Sequence, residues 1–368
     1  MRTTQVDLDD PSSLIDADVD GLLHAAARAG AQVRAVAEAV REGVIEPLSA
    51  LRPRSVVIVT GASVAAAQAA RFVVAHSAAR LDVPLVSAPA LPGWIGPLDV
   101  VVLVGDDAGD LALADAASRA SRRHAEFVVV APVEGPLASA VGGRGMDLSP
   151  RIQVPEQFRF VGQVAALVAV CQGLKQVRYI GGDLDLELLA DALDAEAARN
   201  HPSQDAYGAP AKTLAERFRT ATPVLSGDSP AGDALAARTA STLFAVGGVP
   251  AAAVDLAAAM TQLLRDRGGS ASDALFHDPE IDGPLPQRAR LHVLSTPVQQ
   301  WQARRRVAAL PDAEVLVGSA PDEATPEGAS AAGATGAVDD GASALLTYLV
   351  LAARLEMAAV YAALLGTR

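Results

Sequence analysis

Residues 54–63 read RSVVIVTGAS. The run Arg54–Thr60 (RSVVIVT) is a continuous apolar, β-branched stretch, the pattern of a strand covered on both faces. The residues after it open a helix over 63–81. Asp82–Ala88, Asp99–Val104 (DVVVLV) and Glu126–Ala131 (EFVVVA) are further buried strands, with a helix at about 110–124 between the last two. Strands alternating with helices predict a parallel, doubly wound sheet with helices on both faces.

Outward from this block, residues 13–50 read as one or two helices, 151–155 as one more strand and 158–176 as a long helix. Gly181-Gly182 then marks a boundary. The alternation resumes less clearly. Helices are expected near 184–199, 210–219, 230–246 and 256–267. Strands are expected at Thr222–Ser226, Val249–Asp255, 272–276, 289–295 and 313–317. Residues 318–343 are rich in Gly, Ala, Pro and acid and poor in bulky side chains, the composition of a flexible linker. Apolar periodicity returns over 344–366, a helix expected to dock on a core or a second subunit. The expected organisation is N-terminal helices (1–50) packed on a first domain (51–180), a second domain (181–317), a linker (318–343) and a C-terminal helix (344–368).

Composition narrows the function. The 368 residues suffice for about two domains, and 51% hydrophobic content excludes disorder for most of the chain. A net charge of −13 argues against nucleic acid or an anionic membrane as partner, since both need clustered Lys and Arg. The single cysteine, Cys171, excludes an intrachain disulfide and a cysteine-based zinc site. The acidic MRTTQVDLDD start is no signal peptide, and Arg354 and Glu356 interrupt the most apolar late stretch, so a cytoplasmic location is expected.

Thr60-Gly61-Ala62-Ser63 sits where a helix N-terminus and backbone amides can hold an anion. Short-chain dehydrogenases share this tetrapeptide. Here Ala65 and Ala67 replace their cofactor glycines, and no Tyr-x-x-x-Lys pair exists, which excludes that class. Gly227-Asp228-Ser229-Pro230-Ala231-Gly232 is no nucleophile elbow, because the second glycine is absent and Pro230 follows the serine. The six histidines show no helical ligand-pair spacing, so no metal and no cofactor is expected.

Pro210-Ala211-Lys212-x-Leu214-Ala215, Thr222–Gly227, Ala236-Ala237-Arg238 and Gly247–Ala251 resemble the second domain of bacterial and archaeal bifunctional phosphoglucose/phosphomannose isomerases, two-domain sugar isomerase (SIS) proteins. Val83-Pro84, Leu91-Pro92-x-Trp94, Arg151–Phe160 and Leu345–Leu364 are similar to the same family. The resemblance implies an α/β fold of two SIS-type, flavodoxin-like domains plus a C-terminal helix. It also implies aldose–ketose isomerisation of sugar 6-phosphates, a homodimer and, from similar actinobacterial chains, association with mannose-phosphate enzymes.

Carried over position by position, the ligand-binding candidates are Thr60, Gly61 and Ser63 in the first loop, Gly109 and Asp110 in the second, and Arg238. The second loop, Gly105-Asp106-Asp107-Ala108-Gly109-Asp110, carries three carboxylates where the family has a hydroxyl-rich Ser-Gly-Asn-Thr. At ~6 Å and an effective dielectric of about 20, each carboxylate opposes a unit of phosphate charge by roughly 2–3 kcal/mol. Counted without a gap from Pro250, the family's catalytic Pro-Glu-x-Asn-His-Asn-Glu falls on Ala257–Leu263, with Ala258 at the proton-transferring glutamate. Asp255, three residues earlier, is the candidate substitute for that glutamate if the register shifts, and His277 lies where the resemblance places the family's ring-opening histidine. Three functions follow. The chain binds a sugar phosphate or sugar derivative without turning it over; or it is an active isomerase using Ser63, Arg238, Asp255 and His277; or it is a scaffold without ligand.

Overall fold

A computed structural model describes residues 6–273, 288–318 and 341–366, with side chains left undescribed from 267 to 273. The chain divides into two compact units. One comprises Ala27–Ala195 with Val338–Leu346, and the other Met1–Ala26, Glu196–Ala337 and Thr347–Arg368. This differs from the expected division. Helices α1 (Pro11–Ala17) and α2 (Leu22–Ala26) group with the second sheet, and the boundary falls inside a helix after Gly181-Gly182.

The first unit holds α3 (Ala29–Arg41), β1 (Ser55–Val59), α4 (Val64–Ser77), β2 (Leu85–Ala88), β3 (Asp99–Val104), α5 (Leu111–Arg122), β4 (Glu126–Val130), α6 (Gly135–Val141), β5 (Met146–Asp147), α7 (Phe160–Gly173) and most of α8 (Leu186–Arg199). Its five strands lie in the order β2-β1-β3-β4-β5, all parallel. β1 and β3 are buried along their whole length, as continuous β-branched runs require. Val57, Val101, Phe127 and Val129 pack one face on Leu113 and Leu137. On α4 and α7, Phe72 and Phe160 meet edge to face at 5.7 Å. The strand expected at 151–155 is irregular chain ending at Pro155, and the fifth strand is the two-residue β5 just before it.

The second unit continues with α9 (Pro210–Thr220), β6 (Thr222–Gly227), α10 (Pro230–Ala245), β7 (Ala252–Ala253), α11 (Leu256–Asp273), β8 (Ala289–Ser295), α12 (Gln300–Arg306), β9 (Glu314–Val317) and α13 (Gly341–Gly366), of which the first turns group with the first unit. Its strands are parallel in the order β7-β6-β8-β9. The expected strand over Val249–Asp255 shrinks to the exposed pair β7. The strand expected at 272–276 meets the end of α11, and its remaining residues lie outside those described. Residues 319–340, most of the expected linker, also lie outside them.

Helix α13 is apolar on every side, with mean hydropathy 1.7, long enough to cross a membrane by length and composition alone. The same window is 83% buried against protein, which marks a core helix. Its two charges are both paired within the second unit. Arg354 donates to Glu196 at 2.7 and 3.0 Å and to the Val317 carbonyl at 3.0 Å, while Glu356 accepts from Arg238 at 3.1 Å.

Candidate functional site

In a doubly wound sheet, ligands bind beyond the carboxyl ends of the two strands where the strand order reverses. In the first unit those strands are β1 and β3, and the loops after them are 60–63 and 105–110. Gly61 adopts φ +57°, a left-handed turn that glycine tolerates without strain. Ser63 caps α4, accepting from the Ala66 amide at 2.9 Å.

Asp110 caps α5, accepting from the Ala112 and Leu113 amides at 2.7 and 3.3 Å. Its other carboxylate oxygen accepts from the Ala62 amide, 2.8 Å away in the first loop. The carboxylate therefore lies against both loops, and a Cβ on Gly61 would overlap it. This is the place where an anion would sit, and the chain's own carboxylate fills it.

Asp106 turns inward. It accepts from the Ser63 hydroxyl and from Gln163 Nε2 at 2.9 Å, and pairs with Arg159 at 3.5 Å. Burial pushes its carboxyl above the usual carboxylate range, and the Ser63 bond and the Arg159 charge only partly offset this. Asp107 is exposed and bonds the Gly109 amide at 2.8 Å. Thr60 is buried at the end of β1. The structure thus brings Gly61, Ser63 and Asp110 together.

Arg238 is not with them. It is 5% exposed on α10, in the second unit, donating to the Thr242 hydroxyl and to Glu356. The expected ligand-binding arginine is consumed by a buried ion pair. Asp255 is exposed and caps the first turn of α11, accepting from the Ala257 and Ala258 amides at 2.9 and 3.1 Å. Ala258 is exposed one turn along. His277 lies outside the described residues. Among the described residues, no cluster of three or more His, Cys, Asp or Glu could hold a metal ion. Two histidines, His76 and His292, are buried, and desolvation lowers His76 to about 4.

The second unit carries a polar cluster that the sequence did not reveal. At the carboxyl ends of β6 and β8, Asp228 accepts from the Ser295 hydroxyl and from the Tyr348 hydroxyl at 3.2 Å. Tyr348 also bonds Ser229, the cap of α10, at 2.7 Å. Burial again raises the carboxyl, partly offset by those hydroxyl bonds. Each unit thus has a hydroxyl–carboxylate pair beyond the carboxyl ends of its central strands, the serine following or ending one strand and the aspartate following the other: Ser63 with Asp106, and Ser295 with Asp228. The Gly227–Gly232 turn, which carries Asp228 and Ser229 beside each other after an apolar run, is the sequence signal that points to this cluster.

No known family profile matches the sequence, and no curated protein matches it. Solved structures do. A candidate phosphosugar isomerase of Bacillus subtilis superimposes with a TM-score of 0.53 at 17% identity, covering 91% of this chain and 94% of that one. A candidate tagatose-6-phosphate ketose/aldose isomerase of Clostridium novyi gives 0.55 at 13% identity, covering 95% and 90%. The fold is the SIS-type fold. The C-terminal domain of glucosamine-fructose-6-phosphate aminotransferase from Francisella tularensis gives 0.51 at 11% identity, covering 96% of both chains. At such identities only the SIS fold is shared, and residue roles rest on the geometry above.

Proposed function

We propose that this SIS-fold protein acts in sugar-phosphate metabolism, in the context of glucose and mannose 6-phosphates, by binding a carbohydrate derivative without isomerising it. One observation carries the proposal. The Asp110 carboxylate bridges the Ala62, Ala112 and Leu113 amides and so takes the position a ligand phosphate would need. A phosphate held ~6 Å from that carboxylate would meet roughly 2–3 kcal/mol of repulsion per unit charge. The ligand expected at this loop is an uncharged sugar derivative, met by the polar rim around Ser63 and Asp107. Ala258 and the capping role of Asp255 support the absence of proton transfer at the position of the family's glutamate.

The test is an isomerase assay with glucose, fructose and mannose 6-phosphates, beside thermal-shift measurements with the same sugars and their dephosphorylated forms. No turnover, with stabilisation by an uncharged sugar, is the expected result. Turnover that is lost in Asp255→Ala or Asp106→Asn overturns it. A cytoplasmic homodimer working beside mannose-phosphate enzymes belongs to the same proposal, and sedimentation of the purified chain tests its oligomeric part.

A further inference from the structure

A cleft of about 640 Å³ opens in the first unit at the end of α7 remote from Asp106. Its walls are the end of α3, residues 43–49, the last turn of α7 and the entry to α8 at 183–187. The buried part of the lining is apolar, formed by Ala37, Ile45, Ala169 and Leu184. Val40 and Leu186 continue it at partly exposed positions. Gly173 at the cleft lies about 15 Å along α7 from Gln163, which bonds Asp106. The cleft is therefore separate from the 60–63 and 105–110 loops, and its role does not depend on the reading proposed for them.

The charges along its wall do not balance. Arg41 and Lys175 face the carboxylates of Glu46, Asp183, Asp185 and Glu187. Both cations are already paired. Arg41 bonds Glu187 at 2.9 Å and Glu38 at 2.6 Å, and Lys175 lies 3.5 Å from Asp183. Asp185 accepts from the Glu187 and Leu188 amides at 2.9 and 3.1 Å, at the start of α8, and has no ion-pair partner among the described residues. Glu46 is exposed, and its carboxylate has no partner among the described residues. Helix α7 ends at Gly173, so the negative end of its dipole lies at the same wall. The surplus carboxylates and the helix end favour a positive charge, and the apolar lining favours hydrocarbon.

We propose that this cleft binds a small organic cation, an apolar body seated against Ile45, Ala169 and Leu184 that carries an ammonium group toward the surplus carboxylates, Glu46 foremost. The volume lies within the range of small-molecule sites, and an apolar lining with a few charged groups is their usual chemistry. Because Glu46 is exposed, water screens its attraction for the ammonium, and the hydrocarbon supplies most of the affinity.

Ligand-observed NMR on the full chain at low salt tests the site with phenethylamine, 2-phenylethanol and phenylacetate. The three share a ring on a two-carbon arm and are cationic, neutral and anionic at pH 7. Wild type is expected to bind phenethylamine most tightly, 2-phenylethanol less tightly and phenylacetate least. Glu46→Gln keeps the size of the side chain and removes the charge. It should weaken phenethylamine about threefold and leave 2-phenylethanol unchanged. Ser49→Trp, at a partly exposed wall position, fills the cleft and should weaken phenethylamine and 2-phenylethanol alike while circular dichroism shows a folded chain. It also decides the matter if Glu46→Gln fails to fold. Failure of phenethylamine to bind wild type, equal or tighter binding of 2-phenylethanol or phenylacetate, indifference to Glu46→Gln, or undiminished binding in Ser49→Trp would each overturn the proposal.

Discussion

Replacing Asp110 with alanine should turn a protein indifferent to phosphate into one that binds it. The side chain caps α5 and also ties down the Ala62 amide. Loss of an N-cap costs about 1 kcal/mol. Loss of the second bond, at an exposed amide, costs up to about another 1 kcal/mol. The variant should thus be less stable by about 2 kcal/mol, which lowers Tm by roughly 4–8 °C in a unit of this size. The same substitution removes a negative charge and frees amides of two loops for an anion. Phosphate at ten times its Kd should then return about 1.4 kcal/mol, most of the loss. Thermal denaturation with phosphate, glucose 6-phosphate or chloride at matched ionic strength reads this out, the matching being needed because screening alone alters surface electrostatics. Wild type should not respond, and Asp110→Asn, which keeps an acceptor for the cap, should respond weakly. Equal stabilisation of wild type and Asp110→Ala by phosphate, or no response in Asp110→Ala, would refute the idea that Asp110 occupies the anion position.

Glu356 is completely buried, and desolvation raises its carboxyl to about 7 despite the Arg238 guanidinium. The folded state therefore binds a proton more tightly than the unfolded chain, so this group's contribution is fully present below about pH 4.5 and is lost as pH rises through 7. The integrated effect is about 3 kcal/mol, and Glu356→Gln should flatten that part of the stability curve in urea titrations. Arg354→Met takes the better-buried guanidinium from the Glu196 carboxylate, which is 1% exposed and keeps Arg199 at 3.0 Å and the Asn200 amide at 2.6 Å. A loss of about 3 kcal/mol is expected by denaturant unfolding, and adding Glu196→Gln should recover much of it. Burial pushes the Cys171 thiol up to about 12, so a thiol reagent at pH 8 should label it only at the rate of unfolding. Rapid labelling of the native protein would contradict the burial of α7.

The central strands of the first sheet were legible because a strand covered on two faces must be apolar throughout, and Arg54–Thr60, Asp99–Val104 and Glu126–Ala131 satisfy this without any partner being known. The loops at 60–63 and 105–110 were legible for the same reason, since a ligand edge follows from strand direction. Short elements were missed. Helix α6 begins at Gly135-Pro136, a proline start signal, but spans only seven residues, too few for periodicity to show. In α13, Arg354 and Glu356 read as interruptions of an apolar stretch, and the fold supplies each with a buried partner.

Local pattern thus determined the class of the protein, a pair of parallel α/β sheets, and the edge of the first sheet where chemistry would lie. Tertiary structure alone decided what stands at that edge. The bond from the Ala62 amide to Asp110 joins residues 48 apart, and the pairing of Arg238 with Glu356 joins residues 118 apart. Hydrophobic spacing is a property of neighbours along the chain, whereas the partner of a polar side chain is set by strand order and helix packing. The aspartates of the second loop therefore read from the sequence as obstacles to a phosphate, and in the fold one of them, Asp110, bonds amides of both loops.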